Sequence, residues 1–220
     1  MSLKLFPEKS FLEDLTAYAT TRLMVGRITL LWLVLSACAL IVSGEISLVS
    51  AMLGSVLAAT LIAQFRLWDD LADREYDAVS HPQRVLVTTS HARRVAYLCG
   101  VLTLPITATL VFGYGTSHLL VYVSLFVAMA LLYAYGGTAM PRLLRAHLVL
   151  LKYPIIIWLC AQQADVAQWA RVSASVYLAL CLFELASDSD LRRSTARRSL
   201  MAIEAASLAA LLVLIWRIST

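Results

Sequence analysis

The sequence predicts an all-α integral membrane protein: a bundle of about seven transmembrane helices with an N-terminal interfacial helix. Three observations carry this expectation. The 220 residues are 60% hydrophobic and only 15% charged, with a mean hydropathy of +0.78, whereas a soluble domain is about 45–50% apolar and 25% charged. Apolar runs of a length that crosses a bilayer as a helix recur along the chain. Lys and Arg concentrate between alternate runs, as the positive-inside rule requires. The chain reads as a single transmembrane domain over residues 1–220, with residues 1–22 as the interfacial segment. The net charge of +4 fits anionic lipid headgroups and topology, and no nucleic-acid partner is expected.

The first element is announced by Ser10-Phe11-Leu12-Glu13, which has the form of a capping box. Phe11, Leu12, Leu15 and Tyr18 then share one apolar face, so this helix is expected to lie on the membrane surface. Lys4, Glu8, Lys9, Glu13 and Asp14 precede any long apolar run. No cleavable signal peptide is therefore expected, and the first span should be retained. The expected spans are Ile28–Ser43, Ser47–Phe65, Val95–Phe112, Leu119–Tyr135, Leu148–Gln162, Val172–Phe183 and Leu200–Trp216. Several are short for a full crossing and should extend into their flanks. Pro105 lies inside the third span, where neighbouring helices can tolerate it. Pro154 follows Lys152 and Tyr153 near the start of the fifth, where proline is at home.

Sixteen of the 18 Lys and Arg residues fall on one side of this arrangement, and only Arg171 and Arg217 on the other. The positive side is cytoplasmic, which puts the N-terminus inside and, after seven spans, the C-terminus outside. Cys38, Cys99, Cys160 and Cys181 are scattered through apolar segments with no CxxC or Cys/His spacing. They read as small buried apolar residues, with neither disulfides nor a zinc site expected.

The chemistry is expected at the end of the second span. Arg66-Leu67-Trp68-Asp69-Asp70-Leu71-Ala72-Asp73-Arg74-Glu75-Tyr76-Asp77 follows an apolar helix without a break. In a helix, Asp69, Asp73 and Asp77 share a face at four-residue intervals, where like charges repel. A cation should relieve that repulsion, and a hard divalent ion with oxygen ligands is the natural choice. Glu184, Asp188 and Asp190 follow the sixth span on the same predicted side, so two acidic clusters could converge over one cavity. Nearby basic residues suit an anion. Magnesium is commonly held by a few carboxylates together with substrate phosphates, and the combination points to a diphosphate. Lys152 lies furthest into an apolar stretch, and a membrane-embedded cation is a functional hypothesis by default.

These residues resemble the UbiA-type intramembrane prenyltransferases. Asp69, Asp70, Asp73 and Asp77 match that family's N/D-D-x-x-D-x-x-x-D motif at the cytoplasmic end of its second helix. His81-Pro82-Gln83-Arg84-Val85 resembles its Lys-Pro-x-Arg-Pro segment, with His81 and Val85 departing from the pattern. Tyr133-Ala134-Tyr135, Met140-Pro141-Arg142-Leu143-Leu144-Arg145 and Lys152 resemble its Tyr-Ser…Pro-x-Arg-Leu-Lys…Lys segment. Glu184 and Asp188 stand where the second acidic motif belongs, in degenerate form. The family commonly has eight or nine spans against seven counted here, so either the fold closes with fewer helices, a homo-oligomer or helper subunit completes it, or the site opens to lipid.

The resemblance implies Mg2+ as cofactor, bound by Asp69, Asp70, Asp73, Asp77, Glu184 and Asp188. It implies a prenyl diphosphate held by His81, Arg84, Arg142 and Lys152. Asp69, Asp73, Asp77 and Lys152 would be the catalytic set, ionising the allylic diphosphate for transfer of its prenyl group to a lipophilic or aromatic acceptor. Trp68, Tyr133, Tyr135 and Trp158 are the expected prenyl and cation pocket, since aromatic faces attract cations. The site would face the cytoplasm. A terpene cyclase of the same superfamily would use the same ionisation. A non-catalytic homologue that binds a prenyl lipid is the alternative from another class. A phosphatidyltransferase fits less well, because no glycine follows Asp73 and its Ala-Arg pair is absent. A transporter would carry its acids at the membrane midplane.

Overall fold

The computed structural model describes residues 10–44, 47–187 and 197–219; within these, the side chains of 136–139, 142 and 215–219 lie outside the description. Among the described residues the chain is all helix, with no strand. A short α1 (Phe11–Tyr18) runs through a π-helical turn into α2 (Gly26–Ser43). α3 (Leu48–Ala72) is followed by the short α4 (Arg74–Ser80) and α5 (Val85–Thr88). Then come α6 (Ala92–Val101), α7 (Thr103–Thr109) with a π-helical extension to Tyr114, and α8 (Thr116–Ala139). α9 (Arg142–Leu150), α10 (Lys152–Cys160), α11 (Val166–Ser187) and α12 (Arg197–Ser219) complete the order.

Among the described residues, six helical stretches are long and apolar enough to cross a membrane: Gly26–Ser43, Leu48–Ala72, Ala92–Tyr114, Thr116–Tyr135, Leu143–Cys160 and Val166–Ser187. This is a multi-pass, all-α membrane protein. Each stretch contains the core of one expected span, and the sixth extends well beyond the expected Val172–Phe183 at both ends. Six of the seven expected spans are found among the described residues. The seventh span falls in α12, which opens on Arg197 and Arg198, buries Glu204, and has side chains outside the description from residue 215 onward.

Two of the six stretches are broken in the same way. α6 yields to α7 at Leu102 (φ −61°, ψ −20°), and α9 to α10 at Leu151 (φ −60°, ψ −19°). Each break lies three residues before a proline, Pro105 or Pro154. Proline has no N–H to offer the carbonyl four residues back, and its ring crowds that carbonyl. Pro105 thus does more than sit tolerated in a straight helix. The break at Leu151 makes Lys152 the first residue of α10.

α10 is the axis of the bundle and touches α2, α3, α8, α9 and α11. Its Ile156, Ile157 and Leu159 are fully buried. α3 comes so close to its far end that a Cβ on Gly54 would stand 2.8 Å from the Cys160 carbonyl oxygen. α8 shows how a span divides its faces. Tyr122, Leu125 and Met129 are buried, while Leu120, Val123, Val127 and Leu131 are exposed. The outer stripe is as apolar as the inner one, as befits a helix whose outside meets lipid. Between α3, α6–α7 and α8, the buried Gln64 is fully used. Its Nε2 donates to the Cys99 carbonyl at 3.2 Å and to Thr103 Oγ1 at 3.0 Å, and its Oε1 accepts from Tyr122 at 2.9 Å. Hydrogen bonds of this kind join helices where lipid gives no hydrophobic drive.

The capping box of α1 is present in full, with Ser10 accepting from the Glu13 N–H and Glu13 accepting from the Ser10 N–H. The expected apolar face is divided. Phe11 and Tyr18 pack with Leu67, Leu86, Val95 and Cys99, but Leu12 is 70% exposed. Asp14 is buried, accepting from Thr89 at 2.5 Å with His91 at 3.2 Å. α1 is therefore docked onto α5 and the end of α3.

Candidate functional site

The aspartate run keeps its four-residue period in three dimensions. The Asp73 N–H donates to the Asp69 carbonyl at 3.0 Å, the Asp77 N–H to that of Asp73 at 2.8 Å, and the His81 N–H to that of Asp77 at 2.7 Å. A single irregular residue, Asp73 (φ −89°, ψ 5°), ends α3 and opens α4.

Each of the four aspartates is met by a cationic side chain from another segment or turn. Lys152 Nζ reaches Asp69 Oδ2 at 2.5 Å, and Tyr133 donates its hydroxyl to Asp69 Oδ1. Arg145 Nη2 donates to Asp73 Oδ1 at 2.9 Å. Arg84 Nη1 donates to Asp77 Oδ2 at 2.5 Å, and His81 Nδ1 stands 3.7 Å from the other oxygen. Asp70 faces the N-terminal segment: Arg22 holds both its oxygens, at 2.9 and 2.5 Å, and Tyr18 donates to it at 3.0 Å. Arg66 approaches it at 3.3 Å. The repulsion read from the sequence is thus relieved by side chains of the protein itself.

Burial separates these pairs. Lys152 is 1% exposed, whereas the side chain of Asp73 is 46% exposed. Burial and the neighbouring Asp69 raise the Asp73 carboxyl above the ordinary aspartate value, against the pull of Arg145. The hydrogen bond to Asp70 raises the Arg22 guanidinium, and burial together with Asp70 pushes the Tyr18 phenol up. Asp70 thus serves as an anchor for the N-terminal segment, a role that the sequence did not suggest.

Beneath Asp69 lies an aromatic group. Trp68 sits 5.3 Å from Tyr133 and 4.6 Å from Phe126, ring centre to ring centre, and stacks on Phe65 at 6.3 Å. Lys152 Nζ lies 5.4 Å from the Tyr153 ring centre. The expected aromatic pocket is therefore half assembled. Trp68 and Tyr133 come together, but Tyr135 is 69% exposed. Trp158 stacks on His118 at 6.2 Å and meets Trp169 edge-on at 5.3 Å. His118 and Tyr133 are fifteen residues apart on α8, about 22 Å along a helix, so Trp158 belongs to the opposite end of the bundle. Phe65 and Phe126 take the places expected of Tyr135 and Trp158.

Of the second acidic cluster, Glu184 lies on α11. Asp188 and Asp190 lie outside the described residues, as does the side chain of Arg142. Arg145, about one helical turn further along α9, meets Asp73. Arg22 and Arg145 were each visible in the sequence as members of positive-inside segments, but nothing there said which acid each would meet.

Fold and site together define a multi-pass helical membrane protein with an alternating acid–base cluster at the C-terminal end of α3. Comparison with protein-family models, curated proteins and solved structures returns no match.

Proposed function

We propose that the protein is a Mg2+-dependent intramembrane prenyltransferase of the UbiA type, ionising a prenyl diphosphate at the aspartate run and passing the prenyl group to a lipophilic acceptor. The observation that supports this best is the interleaving of Asp69, Asp73 and Asp77 with Lys152, Arg145 and Arg84 above Trp68, Phe126 and Tyr133. A diphosphate accompanied by a divalent cation carries both signs of charge, and can exchange with such pairs without leaving a buried charge alone. Asp69, Asp73 and Asp77, with Glu184 and Asp188, are the residues that would hold the ion. Asp70 is better suited to its structural partners, since both its oxygens are taken by Arg22. The half-exposed Asp73 is the carboxylate freest to turn toward a cation. Mg2+ when bound supplies charge neutralisation for the leaving diphosphate.

The chain's own residues do the rest. Arg145, Arg84 and Lys152 would bind the phosphate oxygens through charge-assisted hydrogen bonds, and Arg142 and His81 are the further phosphate-binding candidates of the sequence. Lys152 is positioned by the break at Leu151. Trp68, Tyr133, Phe126 and Phe65 offer ring faces to an allylic cation and keep water from it. The N-terminus and the site are read as cytoplasmic, and α12 as a seventh crossing that leaves the C-terminus outside.

The test is release of pyrophosphate from allylic diphosphates of increasing length by purified protein in detergent, with and without Mg2+. Metal-dependent release, abolished by Asp73→Ala at unchanged expression, is expected. Absence of release at every chain length from folded protein would overturn the reading. Release without acceptor, accompanied by a cyclic hydrocarbon, would assign a cyclase. A non-catalytic prenyl-lipid carrier is the second reading, favoured by the complete pairing of the four aspartates. Tight binding of a prenyl diphosphate without turnover would establish it.

A further inference from the structure

His147 on α9, Cys181 on α11 and Glu204 on α12 bring one nitrogen, one sulfur and one carboxylate oxygen within 4.8 Å of one another. The sequence gives no hint of this, because the three are separated by more than twenty residues each and share no spacing motif. Cys181 is fully buried and the Glu204 side chain is 7% exposed. None of the three takes part in the acid–base cluster on α3.

The hydrogen bonding around His147 is the second observation. Its Nδ1 lies 2.8 Å from the Leu143 carbonyl oxygen, which can only accept, so Nδ1 carries the proton. That leaves Nε2 facing Glu204 Oε1 at 2.7 Å. Between this nitrogen and this oxygen one positive particle is required, either a proton or a metal ion. The other carboxylate oxygen, Glu204 Oε2, is buried with no hydrogen-bond partner among the described residues. A buried acceptor left empty keeps the full penalty of its desolvation, and a cation removes that penalty. A histidine whose Nδ1–H is fixed on a backbone carbonyl is also the arrangement by which metal-ligating histidines are oriented.

We propose that His147, Cys181 and Glu204 form a binding site for a divalent transition metal of the zinc class. One imidazole, one thiolate and one carboxylate suit a borderline-soft ion and exclude magnesium as the preferred occupant. Binding displaces the proton shared by His147 and Glu204 and the thiol proton of Cys181, both to solvent. The His147 and Glu204 atoms then move apart from hydrogen-bond contact to about 3.3 Å, the separation of ligands around a tetrahedral ion. Three protein ligands leave a fourth position for water. The ion would tie α12 to α9 and α11.

The experiment is titration of Co2+ and Zn2+ into metal-free purified protein in detergent. The expected result is one Co2+ per chain with the visible bands of a tetrahedral ion and a near-ultraviolet thiolate-to-cobalt band. Zn2+ should displace it. Cys181→Ser should lose the thiolate band and weaken Zn2+ binding at least tenfold, while Cys38→Ser leaves both intact. Wild-type protein that binds no Co2+, or binds it without the thiolate band, overturns the proposal whatever the variants do. None of these readouts depends on prenyl transfer, so this site can fail while the proposed function stands, and the reverse.

Discussion

At the scale of single residues, the pair Lys152–Asp69 decides most. A buried ion pair adds little net stability over apolar residues of the same shape, but removing one partner strands the other and costs about 3–5 kcal/mol. Lys152→Met should therefore destabilise the protein strongly in denaturant unfolding in detergent, and Lys152→Met with Asp69→Leu should recover at least half of the loss. Asp73 follows a different rule. Partial burial together with the neighbouring Asp69 holds its proton to a higher pH in the folded protein than in the unfolded chain, against the pull of Arg145. The folded state therefore binds more protons between those two values, and stability falls as pH rises through that interval. Asp73→Asn lacks this dependence. Thermal midpoints measured from acid to neutral pH should show the variant gaining on the wild type as pH rises.

The aspartates and Lys152 were legible in the sequence because each breaks an apolar pattern. Which partner each would meet was not. Tyr133 and Tyr135 look equivalent in a string, yet two residues of a helix stand about 200° apart around its axis. One reaches Asp69 and the other is exposed. Only the rotation of α8 against its neighbours, set by packing, decides which. The cluster of His147, Cys181 and Glu204 was illegible for the same reason: it exists only where three helices meet.

At the scale of elements, the spans were readable from hydropathy, and their breaks were half readable from proline. The sequence marks Pro105 and Pro154, but the discontinuity falls at Leu102 and Leu151, because a proline disturbs the carbonyl four residues earlier. Close approach was not readable at all. Gly54 could have been an ordinary small residue in α3. With the Cys160 carbonyl 2.8 Å from the place of its missing Cβ, Gly54→Ala forces backbone apart and should cost about 1–3 kcal/mol. Gly113→Ala meets the flexible Leu53 Cδ2 at 2.9 Å and should cost less; paired thermal denaturation in the same detergent separates the two. The capping box of α1 was legible and present, and Ser10→Ala should weaken the docking of that helix by about 1 kcal/mol, read as faster proteolysis at the N-terminus.

At the scale of the whole molecule, the distribution of Lys and Arg makes a prediction of its own. In a cysteine-free background, Gln163→Cys, between α10 and α11, should react with an impermeant thiol reagent on intact cells. Ser80→Cys, at the end of α4, should react only after permeabilisation. The reverse pattern would invert the topology and put the aspartate run on the outer side.

The contact at Gly54 has a mechanical consequence. α3 and α10 touch backbone to backbone near Gly54 and Cys160, and are tied again by charge at Asp69 and Lys152, fifteen and eight residues away along their respective helices. Two rods clamped at two separated points cannot pivot about either. α9 continues into α10 across the discontinuity at Leu151, reaches α3 through Arg145 and the half-exposed Asp73, and is held to α11 by the Tyr177 hydroxyl and to α12 by the His147–Glu204 contact. The pair α3–α10 is then the fixed jamb against which the surrounding helices are set at the aspartate end.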